Sequence, residues 1–396
     1  MKKEPLVLAY SGGLDTSYSL KKLSQDGYEI HAVSVNTGGF SSQEIETIES
    51  KAYQMGAFTY QNINALESFY QKIVKYLLFG NVLKNNTYPL SVSAERIIQA
   101  IEIVRYAKKV GAKYIAHGST GAGNDQVRFD LIFQVMAPEM EIITLIRDNQ
   151  LSREDEISYL KTEGIDIPWE KAQYSINQGL WGTSVGGAET LTSHLPLPDT
   201  AYPSALEENE PVSIELQFEK GELVAVNGMK SDAVSLIQQL QELAKKYAIG
   251  RDIHVGDTII GIKGRVGFEA AAPLILIKAH HLLEKHTLSK WQQYQKEQLA
   301  NFYGMQLHEG QYLDPAMRDI EAFMESSQQR VSGTVFVQLH PYRFELLGID
   351  SPFDLMQAEF GSYGEINKGW TADEAKGFIK LTSNATKIYQ HLNSKK

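Results

Sequence analysis

Cysteine is absent from the 396 residues of this sequence. Without thiols the chain can form no disulfide, thiolate zinc site or iron–sulfur cluster, and it cannot transfer sulfur through a cysteine. Long hydrophobic runs are also missing, because no stretch approaches the ~18 to 20 apolar residues of a membrane helix. Near the N-terminus only six apolar residues precede a glycine-rich turn, too few for a signal peptide. These absences predict a cytoplasmic protein without a membrane partner.

Positive charge is scarce relative to negative charge. The chain carries 38 Lys and Arg residues against 48 Asp and Glu residues, which gives a formal net charge of −10 at pH 7. An acidic surface repels phosphate backbones, so we expect no broad electrostatic binding of nucleic acid. Hydrophobic residues at 43% and charged residues at 22% are typical of a folded globular chain.

The chain is too long for one ordinary core, which predicts two or three domains. Its first part alternates short apolar runs, typical of strands buried on both faces, with amphipathic stretches of helical spacing. The apolar runs lie at 5–10, 29–37, 113–118 and 141–146. Strand, helix and strand in this order predict an α/β domain with a parallel sheet over residues 1–168.

A different pattern follows an excursion at about 185–211 that contains four prolines. Alternating residues around turns predict antiparallel hairpins at 212–228 and 333–349, with helices between them. Residues 169–360 therefore read as an α+β domain. Residues 361–396 form a separate last stretch, in which the pattern at 371–393 predicts an amphipathic helix that leaves the body of the protein.

A glycine-rich segment, YSGGLDTS at 10–17, directly follows the first predicted strand and opens the first helix. Two glycines let the backbone approach a ligand closely, and the N–H groups of a helix N-terminus form an anion site. The spacing differs from both the Gly-Lys-Ser/Thr phosphate loop and the Gly-x-Gly-x-x-Gly pattern. From the residues alone, two interpretations remain: a phosphate-binding loop, or a turn that merely caps a helix.

A second segment, HGSTGAGNDQVRF at 117–129, follows another predicted strand. Its glycines therefore fall at a carboxyl end of the sheet, where doubly wound folds bind ligands. The cluster of Asn124, Asp125, Gln126 and Arg128 is more polar than a purely structural turn requires.

These two segments resemble known motifs. SGGLDTS is similar to the pyrophosphate loop of enzymes that split ATP into AMP and pyrophosphate, and AYSGGLDTS is most similar to the argininosuccinate synthase family. The block at 117–129 resembles this family's HGxTGxGNDQVRF motif at nearly every position. Further likeness lies at Tyr88 and Ser93, at 174–184 and at 261–265, so that the resemblance covers essentially the whole chain.

The resemblance implies a fold and an activity. The fold is an N-terminal parallel-sheet nucleotide-binding domain of the ATP pyrophosphatase type, an α+β synthetase and multimerisation domain, and a C-terminal helical oligomerisation arm. The activity is ATP-dependent ligation of L-citrulline and L-aspartate to argininosuccinate through citrullyl-AMP, with release of AMP and pyrophosphate, in arginine biosynthesis. Magnesium is expected with ATP, bound mostly through phosphate oxygens and water. No prosthetic group is expected, and the arm implies a homotetramer.

The family's functional residues carry over by position. Those for ATP are Ala9, Tyr10, Ser11, Gly12, Gly13, Leu14, Asp15, Thr16, Ser17, Val35 and Gly118. Those for aspartate are Thr120, Asn124 and Asp125, and those for citrulline are Tyr88, Ser93, Asn124, Arg128, Ser175 and Ser184. We expect Asp15, Asn124 and Asp125 to be catalytic. The protein ligands of magnesium stay unknown; Asp15 is the nearest carboxylate, and a helix-capping role competes with it.

The chain departs from the family at the amino-acid end of the citrulline site. A citrulline-binding glutamate is replaced by Gly256, and a tyrosine at the substrate is replaced by Phe268. Ala122 replaces the family's usual lysine, and Asn-Gln-Gly at 177–179 replaces an Asp-Glu-Asn run. A buried α-ammonium without its carboxylate would be under-compensated by ~3 to 5 kcal/mol.

Several alternatives follow from these departures. Asp257 could substitute for the missing glutamate, so that ordinary citrulline binds, or the acceptor could be an N-acylated citrulline for which Gly256 leaves room. The chain could instead be a non-catalytic nucleotide-binding paralogue, although the intact loop argues against this. A tRNA-modifying ligase with the same loop is a further alternative, which the acidic charge and the missing cysteine disfavour.

Overall fold

The computed structural model describes residues 3–121, 123–165, 167, 173–357 and 369–394. The predicted domain limits near 168 and 360 and the substitution at Ala122 lie outside the described residues, so the domain limits stay predictions.

A five-stranded parallel sheet of strand order β3-β2-β1-β4-β5 forms the N-terminal part. Its strands are β1 Pro5–Ala9, β2 Glu29–Asn36, β3 Thr59–Asn64, β4 Tyr114–Ala116 and β5 Glu141–Ile143. Four of them confirm the predicted apolar runs. The edge strand β3 was not predicted, because its sequence TYQNIN is polar and only partly buried and therefore gives no apolar run.

Helices cover both faces of this sheet. They are α1 Leu14–Gln25, α2 Ser42–Met55, α3 Leu66–Phe69, α4 Lys75–Phe79, α5 Ser91–Val110, α6 Asp125–Met136, α7 Leu145–Asn149 and α8 Arg153–Thr162, with a π-helical turn at Tyr70–Val74. Alternation along β1 separates two cores: Leu6 and Leu8 pack on the side of α1, α2 and α8, whereas Val7 faces α5. The chain runs from β1 outward to β2 and β3 on one side of the sheet and then crosses back to β4 and β5 on the other side. A crevice therefore opens at the carboxyl ends of β1 and β4, where the strand order reverses.

Two antiparallel sheets form the C-terminal part. One has the order β10-β9-β8-β13-β14 and the other the order β11-β12-β7-β6. The strands are β6 Ser175–Gly179, β7 Gly182–Gly186, β8 Val212–Glu219, β9 Glu222–Val226, β10 Met229–Lys230, β11 Arg251–Asp257, β12 Lys263–Glu269, β13 Gly333–His340 and β14 Arg343–Asp350. The hairpins β8–β9 and β13–β14 confirm the predicted ones.

Helices pack against these sheets or extend beyond them. They are α9 Ala233–Lys245, α10 Ala271–Thr287, α11 Lys290–His308, α12 Pro315–Ser327, α13 Ala372–Thr382 and α14 Asn384–Asn393. The mixed α/β architecture confirms the predicted fold class. No helix in the described part of the chain is both long and apolar enough to cross a membrane.

Candidate active site

One open cavity of about 990 Å³ collects nearly all the residues that the sequence predicted. It lies at the carboxyl ends of β1 and β4 and is closed on the other side by β7, β11 and β12. The predicted residues that line it are Ala9, Tyr10, Ser11, Gly13, Leu14, Asp15, Thr16, Val35, Tyr88, Ser93, Gly118, Thr120, Asn124, Asp125, Arg128, Ser175 and Ser184. A cavity of this size is at the upper end of the ~300 to 1,000 Å³ of small-molecule sites.

Two predicted residues, Gly12 and Ser17, lie behind this lining. Gly12 has a φ of +76°, and a Cβ there would lie 3.0 Å from the side chain of Ile48. Ser17 is buried, and its hydroxyl lies 3.2 Å from the hydroxyl of Tyr10. Both therefore shape the loop rather than face a ligand through a side chain.

The loop between β1 and α1 leaves donors free at its surface. No side chain caps α1, whose N-cap residue is Gly13. The hydroxyls of Ser11 and Thr16 lie 3.2 Å apart at the cavity wall. Gly118 packs directly on this turn, since a Cβ at 118 would lie 3.0 Å from Thr16. The uncapped N–H groups at the start of α1, with the hydroxyls of Ser11 and Thr16 beside them, suit an anionic ligand.

Asp15 stands beside a second acid. Burial raises the pKa of Asp15, and burial together with the charge of Asp15 raises the pKa of Glu156 to about 8. Both carboxyl groups are therefore harder to ionise than usual, which leaves Asp15 poorly suited to be a charged ligand of a cation. Among the described residues, no group of three or more His, Cys, Asp or Glu residues could hold a metal ion.

Asp125 joins the buried Arg128 to the partly buried Arg96 at the wall of the cavity. Arg96 Nε and Arg128 Nη1 each donate to one of its oxygens at 2.8 Å. Burial alone would raise the pKa of Asp125, but the two guanidinium groups hold it below the usual range. The carboxylate is therefore a poor proton acceptor and fixes the two guanidinium groups in place.

Arg128 is held in one orientation by three elements of the fold. Besides Asp125, its Nη2 donates to Ser93 Oγ at 3.0 Å and its Nε donates to the backbone carbonyl of His308 at 3.0 Å. Asn124, beside it, accepts from the backbone N–H of Ile259 through Oδ1 at 2.9 Å. The polar cluster of α6 thus contacts α5, α11 and the loop between β11 and β12.

The citrulline-site substitution at Phe268 lies behind the wall of the cavity. Its ring is fully buried and packs on Tyr88 with ring centroids 5.4 Å apart. The Tyr88 hydroxyl bonds Ser91 Oγ at 3.0 Å and accepts from the N–H of Val92 at 3.2 Å. Ser184 lies opposite Phe268 in the sheet and faces the cavity.

Gly256 lies in the wall of the cavity, and the space beside it is occupied. A Cβ at 256 would lie 2.7 Å from His254 Nε2 and 3.4 Å from Asn85 Nδ2. The structure therefore disfavours the hypothesis that Gly256 leaves room for the acyl group of an N-acylated citrulline. Asp257, the next residue of β11, also lines the cavity, but its side chain is exposed and its carboxylate pairs with Lys263 at 2.6 Å, which disfavours it as a replacement for the missing glutamate.

Several charged or titratable residues of the wall were given no role from the sequence, and four of them stand out by their burial. Glu95, Arg96, His254 and His308 all line the cavity and are largely buried. Lone histidines and a glutamate within a helix carry no motif, so no sequence signal singles them out. Arg96 was detectable in principle, because it lies one helical turn beyond Ser93.

Comparisons with known proteins agree with this geometry. Residues 5–166 match the family described as the arginosuccinate synthase N-terminal HUP domain, and residues 174–389 match the arginosuccinate synthase C-terminal domain. An argininosuccinate synthase of Dictyoglomus turgidum is 37% identical over 98% of both chains, and that of Methanocaldococcus jannaschii is 36% identical over 98% of this chain and 99% of its own. That of Xanthomonas campestris pv. campestris is 34% identical over 99% of this chain and 100% of its own. The chain therefore belongs to the argininosuccinate synthase family.

Proposed function

We propose that this protein ligates L-citrulline to L-aspartate with ATP and releases AMP and pyrophosphate. The observation that carries the proposal is the convergence of the family's ATP, aspartate and citrulline positions on one cavity in a chain that is related to the family over its whole length. The intact loop at 10–17 argues against a non-catalytic paralogue, and the net charge of −10 argues against a tRNA substrate.

The reaction has two steps. The ureido oxygen of citrulline attacks the α-phosphorus of ATP, and the bond from this phosphorus to the bridging oxygen breaks, so that pyrophosphate leaves and citrullyl-AMP remains. The aspartate amine then attacks the ureido carbon, AMP leaves, and the amine gives up its proton. Neither step needs a covalent nucleophile of the protein, which fits a chain without cysteine.

Positioning and charge stabilisation are the tasks left to the chain. The uncapped start of α1, with Ser11 and Thr16, suits the phosphates of ATP and the charge on the leaving pyrophosphate. We assign Thr120 and Asn124 to aspartate and Arg128, with its fixed planar fork, to citrulline. Asp125 acts as a positioning residue for Arg96 and Arg128.

Magnesium belongs to the ATP substrate in this proposal. Because burial raises the pKa of Asp15, we assign the ion mainly to phosphate oxygens and water. The same proposal includes a homotetramer assembled through α13 and α14 and a cytoplasmic location.

Pyrophosphate release tests the proposal. Purified protein is incubated with ATP, magnesium, aspartate and one of three acceptors: L-citrulline, N-acetylcitrulline or N-succinylcitrulline. The released pyrophosphate is measured, and the ligated product is identified by its mass in mass spectrometry. We expect release with L-citrulline, because the His254 ring occupies the space that an acyl group would need beside Gly256. Preference for an acylated acceptor would overturn the assignment of citrulline, and release with none of the three would overturn the enzymatic function.

A further inference from the structure

The side chain of His254 faces the cavity beside Gly256, the position at which the family has a glutamate. The residue is only 6% exposed and lies on β11 two positions before Gly256, on the same face of the strand. Its ring is stacked on Tyr88, with centroids 5.3 Å apart and an interplanar angle of 24°. The lack of a side chain at 256 leaves Nε2 uncovered, since a Cβ there would lie 2.7 Å from it.

The protonation of this ring follows from its surroundings. Burial and the neighbouring Lys84 lower the pKa of His254, so the imidazole is neutral at physiological pH. Nδ1 is buried and has no hydrogen-bond partner in the described part of the chain. Since orphaned buried N–H groups are rarer than unpaired buried acceptors, we place the single proton on Nε2. His254 Nε2–H is therefore a hydrogen-bond donor that faces the cavity.

The groups around His254 favour an anionic ligand. Lys84 lies close enough to lower its pKa, and Arg128 and His308 line the same end of the cavity. Burial and the charges of Arg128 and Lys84 lower the pKa of His308 to about 3, so this histidine is neutral as well. Asp257 also lines the cavity, and its exposed carboxylate is paired with Lys263 at 2.6 Å.

We propose that His254 binds the carboxylate of citrulline through Nε2–H, and that Gly256 is the substitution that opens this contact. The proposal rests on the function proposed above and names a residue that determines how the acceptor is held. A neutral donor on a fixed ring gives a charge-assisted hydrogen bond without the entropy cost of a long side chain.

His254→Phe is the decisive variant. Phenylalanine keeps a ring on Tyr88 and deletes both nitrogens, and Nδ1 makes no hydrogen bond that could be lost. We expect an unchanged melting temperature, a KM for L-citrulline raised roughly 10- to 100-fold, and unchanged KM values for ATP and aspartate. A rise in the KM for aspartate or ATP instead would overturn the choice of ligand.

The contact with the carboxylate has its own test. L-citrulline amide, in which the carboxylate is replaced by a neutral amide, is compared with L-citrulline on both proteins. If Nε2–H binds the carboxylate, His254→Phe raises the KM for the amide much less than the KM for citrulline. The reason is that the variant and the amide each remove the same interaction. Equal effects on both acceptors would contradict the proposal.

His31→Phe serves as a matched control. His31 is 7% exposed, lies outside the cavity lining and bonds Thr59 Oγ1 through Nδ1 at 2.8 Å. We expect the reverse pattern, a lower melting temperature with an unchanged KM for citrulline. The wild-type protein is measured first: no turnover with citrulline would contradict the proposed function, whereas normal turnover with an unchanged KM in His254→Phe would contradict only the role of His254.

Discussion

Glu95 and Gly179 occupy complementary space in the wall of the cavity. A Cβ at position 179 would lie 1.5 Å from Glu95 Oε1, so the glutamate fits only because residue 179 is glycine. Glu95 is 2% exposed, and its Oε1 has no hydrogen-bond partner in the described part of the chain. Burial raises its pKa to about 8 from an ordinary value of 4.5. The carboxyl group is therefore neutral at pH 7.

A pH dependence of stability follows from this residue. Below pH 4.5 the group is protonated in both states, whereas between pH 4.5 and 8 only the unfolded state loses its proton. The folded state is therefore progressively destabilised, by about 1.4 kcal/mol per pH unit at most. We expect Glu95→Gln to melt at a higher temperature than wild type at pH 8.5, with a smaller difference at pH 5.

The exposed Glu46 provides the control for this measurement. Glu46→Gln lies on the surface of α2 and changes the same chemical group without burial. We expect its melting temperature to follow wild type at both pH values. A constant difference between Glu95→Gln and wild type at pH 5 and pH 8.5 would contradict the raised pKa.

Among the elements, the hairpin β8–β9 shows what a turn demands of its residues. Lys220 and Gly221 connect the strands with φ values of +48° and +82°. Both central residues of this two-residue turn are thus left-handed, as in a type I′ turn, where asparagine is preferred and lysine is strained. A Cβ at 221 would lie 2.3 Å from Gln328, so that position requires glycine.

Lys220→Asn should therefore stabilise the protein. We expect a gain of ~0.5 kcal/mol in the free energy of unfolding, seen as a rise in the melting temperature, because asparagine tolerates the left-handed conformation better. Lys220→Val is the paired variant, since a β-branched residue is worse than lysine at positive φ. Equal melting temperatures of the two variants would show that the backbone of this turn imposes no preference.

The local sequence predicted most elements but not their partners. The run PLVLAY and the alternation around EKG depend on neighbouring residues, and β1 and the β8–β9 hairpin form where these patterns indicated. The strands β6 and β7 were missed, because SINQG and GTSVG are short, rich in glycine and stabilised by pairing with each other and with β12. Because β7 pairs with a strand more than 80 positions later in the chain, its own sequence carries no pattern of alternating residues that would predict it.

For the whole molecule, the C-terminal helices α13 and α14 carry apolar side chains without cover from the described part of their own chain. Six of these residues are more than half exposed: Phe378, Ile379, Leu381, Ile388, Tyr389 and Leu392. An apolar face of this kind is typical of a protein interface. It supports the proposed homotetramer.

Charge placed on this face should reduce the assembly. We expect wild type to have about four times the chain mass of 44.3 kDa by light scattering, and the double variant Phe378→Asp and Ile388→Asp to form a smaller species. Lys387→Asp, on the exposed surface of α14, is the control and should leave the mass unchanged. A wild-type monomer, or a tetramer that survives the double variant, would contradict the proposal.

The sequence by itself determined the α/β class, the phosphate loop at 10–17, the polar block at 117–129 and the family, because each of these is written in contiguous residues. Only the tertiary structure decided how the amino-acid end of the cavity is built. His308 reaches Ser93 and Arg128 across 215 and 180 positions, Gly179 makes room for Glu95, and Gly256 uncovers His254. Such contacts depend on which distant surfaces pack together, and a single histidine or glycine carries no pattern from which that packing can be read.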